Sequence, residues 1–215
     1  MNSNLAAIVD TVFLGAIDWL NRIEAKQPVS FGQVHDQLRR KVEEASSAAK
    51  ARSIDPASWN LTHYALITWI DEMMIGTEWP GAASWNDNKL ESLFLSSNDR
   101  AWKFYVSAGD AAKQGLNDVV EVYYLAVVLG FRGFYEVASP DEAVNNGLPP
   151  TIDEWLDDMG RRILSQQVKP THQHMSQVIN GTPALRGFDR FLMASLLSIP
   201  LILLLIGLYL LGPTS

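Results

Sequence analysis

Residues 55–76 read DPASWNLTHYALITWIDEMMIG, and the fold class follows from that stretch. Asp55 before Pro56 has the form of an N-cap followed by the first helical position. Leu61, Ala65, Leu66, Trp69 and Ile70 then recur at three- and four-residue steps, the spacing of one apolar helix side, until Gly76 breaks the pattern. Near the C-terminal end of this helix stand Asp71 and Glu72, where the helix dipole disfavours negative charge, so something must compensate for them. Two readings compete. In one, a carboxylate pairs with Arg132 or caps the following loop while the other is solvated; in the other, both belong to an acidic recognition patch beside Glu78 and Trp79. A catalytic dyad is disfavoured, because adjacent helical residues point about 100° apart and do not converge.

Working outward, the same periodicity repeats. Leu5, Ile8, Val9, Val12, Phe13, Ala16, Ile17, Leu20 and Ile23 form a helical stripe that Pro28 ends. Ser30 with Gln33 opens a second helix running to about Arg52, and these two helices and the quoted one should pack together. Downstream, Thr77 to Ala82 carries turn chemistry, residues 85–95 and 99–108 fit shorter helices, and Asp118 with Glu121 suggests a capping box. The run that follows, Val119 to Leu129, is apolar nearly all round and predicts a central buried helix. Residues 139–150, rich in Pro, Gly and Asn, predict an exposed loop, and Thr151 with Glu154 caps a final amphipathic helix. The expected class is all-α, with the globular part ending near residue 165.

The chain has 215 residues, 47% hydrophobic, a formal charge of -7 and no cysteine. That length suits one main domain plus an anchor. The acidic balance argues against nucleic-acid partners, and the missing thiols remove disulfides, thiolate metal sites and cysteine nucleophiles. Arg39, Arg40 and Lys41 are followed by Glu43 and Glu44 and read as a solvated helix face. Residues 1–8 lack the positive and apolar regions of a secretory signal. Residues 191–211 carry no charge; as a helix they would extend about 31 Å, enough to span a bilayer. Arg186 and Arg190 precede this span and only 212–215 follow, so the large N-terminal part is expected in the cytoplasm. Residues 166–190, interrupted by Pro170, Gly181 and Pro183, read as a tether. Within the span, Ala194 and Ser198 share a face and would let another membrane helix approach closely.

Signatures of common chemistry are missing. There is no G-x-S-x-G, no H-E-x-x-H, no phosphate-binding Gly-Lys-Ser/Thr loop and no dinucleotide fingerprint, and no cofactor is expected. His172 and His174 lie in the tether without flanking carboxylates, and His63 reads as half-buried core. Gly130 and Gly133 bracket Phe131 and Arg132, which suggests a helix end with a left-handed or closely approached backbone. A backbone cradle for an anion at Arg132 is the functional alternative.

Several segments combine into one pattern: Leu66 to Glu72, then Trp79, Trp85 and Leu90, then Asp118 to Leu125, then Leu129 to Tyr135. In this order and spacing, and followed by a C-terminal anchor, they resemble the DotU/TssL (IcmH-like) family. The resemblance covers roughly residues 60–136 and implies an inner-membrane component of a type VI, or the related type IVB, secretion system. It implies a hook-like cytoplasmic domain of two small helical bundles acting as a scaffold, not an enzyme. It also implies association with a larger IcmF/TssM-like membrane protein and with baseplate components, a homodimer being a further candidate. On this reading Asp71, Glu72, Glu78 and Trp79 border a groove for a basic partner segment. Gly130, Phe131, Gly133 and Tyr135 determine the fold. The rival is a membrane-tethered hydrolase using Asp71, Glu72 and His63 around a metal.

Overall fold

Three local caps start the helices that build the core. The computed structural model describes residues 1–95 and 100–167, all within the first of two units into which the chain divides, 1–169 and 170–215. Helix α1 (Ser3–Glu24) begins where the Asn2 side chain accepts the Asn4 N–H at 2.8 Å. Ser30 accepts the Gln33 N–H and opens α2 (Phe31–Ala51), and Asp55 accepts the Ser58 N–H at 2.9 Å and opens α3 (Pro56–Gly76). Each cap satisfies one of the amides that a helix start leaves without an intrahelical partner.

Helix α1 is the one described helix long and apolar enough to cross a membrane. Its stripe from Leu5 to Ile23 is nevertheless buried against α2 and α3, while Asp10, Asp18, Arg22 and Glu24 stay outside, the distribution of a core helix. On the outer face of α2, Arg39 pairs with Glu43 at 2.6 Å and Arg40 is exposed, while the stem of Lys41 lies against Gly15 of α1.

The centre of the fold is α3. Every residue from Tyr64 to Asp71 is buried, so the helix is enclosed on all sides rather than along the single apolar face expected. It packs against α1 and α2, against the short α4 (Ala82–Asp87) and α5 (Leu90–Leu95), and against α6 (Arg100–Lys113) and α7 (Asn117–Val128). The buried side chains of all these elements form one continuous cluster. Each of the larger ones contributes on the order of 1.5–3 kcal/mol by leaving water.

Further expectations need correction. The helix expected over 85–95 is divided at Asn88 and Lys89, because the Asp71 carboxylate accepts the Leu90 and Glu91 amides and starts a new helix there. Helix α6 continues past Ala108 to Lys113, its stripe extending through Ala111 until Gly115 takes φ +72°. No capping box forms at Asp118 and Glu121: α7 starts at Asn117 without a side-chain cap, and both carboxylates face the Met1 ammonium. That helix is buried on most of its surface but leaves its last residue, Val128, and the following Leu129 exposed.

The stretch 139–150 is not loop throughout. Ser139 and Glu142 form a reciprocal capping box that opens α8 (Pro140–Asn145), and the two hydrogen bonds from Ser139 hold the Glu142 carboxyl below its ordinary range. Thr151 accepts the Glu154 N–H at 3.2 Å at the start of α9 (Ile152–Gln167), which buries Trp155 and Met159 against the core. Helix α9 runs two residues into the tether expected from 166. The rest of that tether with its two histidines, the span 191–211 with Ala194 and Ser198, and the tail 212–215 lie outside the described residues.

Candidate functional site

Asp71 and Glu72 point to different parts of the chain, as their angular separation on a helix requires. Asp71 is fully buried. One of its oxygens accepts the Trp85 Nε1–H at 2.8 Å and the Leu90 N–H at 3.0 Å, and the other accepts the Glu91 N–H at 2.8 Å. Three donors converge on one desolvated carboxylate, which offsets the cost of burying its charge. Asp71 therefore lies behind the surface, with its carboxylate oxygens turned to these three donors.

Glu72 reaches about 60 residues along the chain. Its carboxylate accepts the backbone N–H of Arg132 at 2.5 Å and that of Gly133 at 2.9 and 3.1 Å. The backbone cradle considered at Arg132 thus exists, and the anion it holds is the protein's own. Two glycines make the geometry accessible. Gly130 sits at φ +111° and Gly133 at φ +51°, and a Cβ at Gly130 would come within 3.3 Å of Met73 Sδ.

The turn from Gly130 to Tyr135 is pinned from several further directions. Phe131 is fully buried and stacks on Phe104 with centroids 3.9 Å apart. Tyr105 Oη–H donates to the Arg132 carbonyl at 2.7 Å, and Tyr135 Oη–H donates to the Pro149 carbonyl at 2.8 Å. Burial, then the nearby Glu72 charge, pushes the Tyr105 hydroxyl well up, so it remains a donor; burial pushes that of Tyr135 to about 12. The Arg132 guanidinium donates to the Val127 and Phe131 carbonyls, both at 3.1 Å. Glu72 therefore meets the backbone of Arg132.

Two surface clefts meet at the end of α3, sharing Gly76 and Thr77. The first, about 750 Å³, lies between Glu72 and Met73 on one side and Arg132, Glu136 and Val137 on the other, with Lys89 also on its wall. The second, about 860 Å³, is bordered by Glu24, Lys26, Glu78 and Trp79. Lys89, Arg132 and Lys26 stand on the same walls as the carboxylates, so the clefts are mixed in charge. Glu78 is exposed at this surface. Trp79 is 8% exposed and its Nε1–H donates to the Met74 carbonyl at 2.8 Å, closing the end of α3. Its ring lies over Gly81, where a Cβ would fall 2.3 Å from ring carbons. Gly81→Ala is expected to displace that ring and cost about 1–3 kcal/mol, read as a lower denaturation midpoint; an unchanged midpoint would show that the loop has another packing available.

The residues of the metal-hydrolase alternative are not assembled. Asp71 and Glu72 diverge, and His63, about two turns earlier on α3, has its ring against Trp59 and Phe94. Among the described residues no group of three or more His, Asp and Glu side chains is placed to hold a metal. His63 Nε2 is buried without a hydrogen-bond partner, and burial lowers its pKa below the ordinary value. As pH falls, the unfolded chain takes up this proton first, so stability is lost from about pH 6.5 downward. His63→Leu should flatten that part of a stability-versus-pH curve; an unaltered slope would remove His63 as its source.

Of the functional geometry, sequence reasoning missed Trp85 as the donor to Asp71 and Tyr105 as the donor to the turn. Trp85 stood in the motif series without a role, and nothing local to Tyr105 signals the carbonyl it meets.

A family model described as type VI secretion system protein DotU matches residues 5–212. Among solved structures, the cytoplasmic domain of TssL from Acinetobacter baumannii matches with a TM-score of 0.61 at 16% identity, covering 73% of this chain and 97% of that one. At that identity the likeness is one of fold, and it is all-helical. No curated protein matches the chain.

Proposed function

Because the chain belongs to the DotU family of type VI secretion system proteins, we propose that it is a docking component of the secretion membrane complex, linking an IcmF/TssM-like envelope protein to the cytoplasmic baseplate. The observation that carries this reading is the end of α3, where two clefts meet beside a turn held by hydrogen bonds from the side chains of Glu72, Tyr105, Arg132 and Tyr135 and by the stack of Phe131 on Phe104. Rigid, partly apolar surfaces rimmed by charge favour protein partners, since little conformational entropy is lost on binding. Glu78 at the second cleft and the exposed Val137 at the first are the contacts proposed for a partner segment, with Trp79 and Asp71 supporting the surface from beneath.

The membrane part of the proposal rests on sequence. Residues 191–211 anchor the chain in the bacterial inner membrane, 166–190 tether it, and 1–165 face the cytoplasm with 212–215 beyond the bilayer. Ala194 and Ser198 would then contact a partner membrane helix or a second copy. A hook of two small bundles is part of the same reading, supported by the packing of α3 against α1 and α2 as well as against α6 and α7. Binding replaces catalysis in this role.

The test is affinity recovery of the tagged, full-length chain from gently solubilised membranes, with mass-spectrometric identification of what accompanies it. Recovery of an IcmF/TssM-like protein together with baseplate components is the expected result. Recovery of the chain alone would count against the docking role.

A further inference from the structure

We propose that Glu72 is a positioning residue for docking: it acts by accepting the Arg132 and Gly133 amides and so shaping one wall of the cleft, not by offering its charge to a partner. This rests on the docking reading above and assigns the carboxylate's part in it. The carboxylate receives three hydrogen bonds of 2.5 to 3.1 Å from two consecutive amides. Those amides belong to a backbone that needs positive φ at Gly130 and Gly133 and is therefore not the chain's default local conformation. The same cleft is lined by Glu72, Gly130, Arg132, Gly133 and Val137, so releasing the amides alters the surface itself. Val137, 83% exposed, and the Arg132 guanidinium, oriented by the Val127 and Phe131 carbonyls, are both carried on this turn. Asp71, one residue earlier, holds the start of α5 by the same kind of bond, close to Lys89 on the cleft wall. Consecutive carboxylates on α3 thus set two parts of the cleft wall.

The two roles for Glu72 differ in what glutamine can replace. A glutamine carbonyl oxygen accepts from both amides but carries no charge, whereas alanine offers neither. The experiment compares tagged full-length wild type, Glu72→Gln and Glu72→Ala from gently solubilised membranes. It measures the IcmF/TssM-like protein and baseplate components recovered per chain, and on the same samples the hydrogen exchange of residues 130–137, with α1 and α2 as the control for folding. Positioning predicts that glutamine keeps recovery within about threefold of wild type while alanine loses about tenfold or more, with faster exchange at Arg132 and Gly133 in alanine alone.

Equal loss in both variants with slow exchange at the two amides would overturn the proposal, because a partner would then be reading the charge. Full recovery in alanine with fast exchange would overturn it too, since the turn's geometry would not matter. A wild type that brings down no secretion component would overturn the docking reading and this inference with it.

Discussion

Asp71→Ala is expected to cost about 3–5 kcal/mol of stability. The substitution removes the common acceptor of Trp85 Nε1–H and the Leu90 and Glu91 amides, in a position with no exposed surface. Water cannot replace the lost acceptor there unless the packing opens, so up to three buried donors lose their partner at once. Denaturant unfolding of the detergent-solubilised chain, followed by tryptophan emission, measures the effect. Asp71→Asn should fall between wild type and alanine, because its oxygen still accepts while its amide presents donors to donors. A loss under about 1 kcal/mol for alanine would show that α4 and α5 are held by apolar packing alone.

Phe131→Ala should be comparably damaging, at about 3–5 kcal/mol. Phe131 has no exposed surface and packs on Phe104, stacked at 3.9 Å, with Tyr105 at 6.0 Å. Removing the ring leaves a cavity beneath the turn that Glu72 and Tyr105 hold by hydrogen bonds. In a double-mutant cycle with Phe104→Ala, the coupling beyond area burial should be about 0.5–1.5 kcal/mol, the range of a close aromatic pair. Additive losses would mean that the two rings contribute only as buried volume. Loss of the partner at a denaturant concentration where this variant is still folded would connect the turn to docking as well as to stability.

The helix starts were legible where the cap is decided by neighbours. Ser30, Asp55 and Thr151 each accept an amide three residues on, and no other part of the chain is needed to make that bond. The same chemistry misled at Asp118 and Glu121, which answer the Met1 ammonium. It was overlooked at Ser139 and Glu142, where the surrounding Pro, Gly and Asn suggested loop although the box pattern was present. For α3, periodicity located the helix but undercounted its buried faces, because Thr68 and Asp71 are polar residues that burial tolerates once their bonds are made.

The candidate site divides along the same line. The sequence by itself determined an all-helical chain, the helix that carries Asp71 and Glu72, the electrostatic oddity of two carboxylates at a helix C-terminus, and the glycine-flanked turn after Leu129. These depend on periodicity, caps and dipoles that act within one or two helical turns. Only the tertiary structure decided where the carboxylates go. Their donors lie 14 to 20 residues away for Asp71 and 60 to 61 for Glu72, and the basic Lys89 and Arg132 that give the cleft its mixed charge come from separate loops. A side chain's partner across such distances is set by how helices pack, and packing is a property of the whole buried cluster rather than of any one segment.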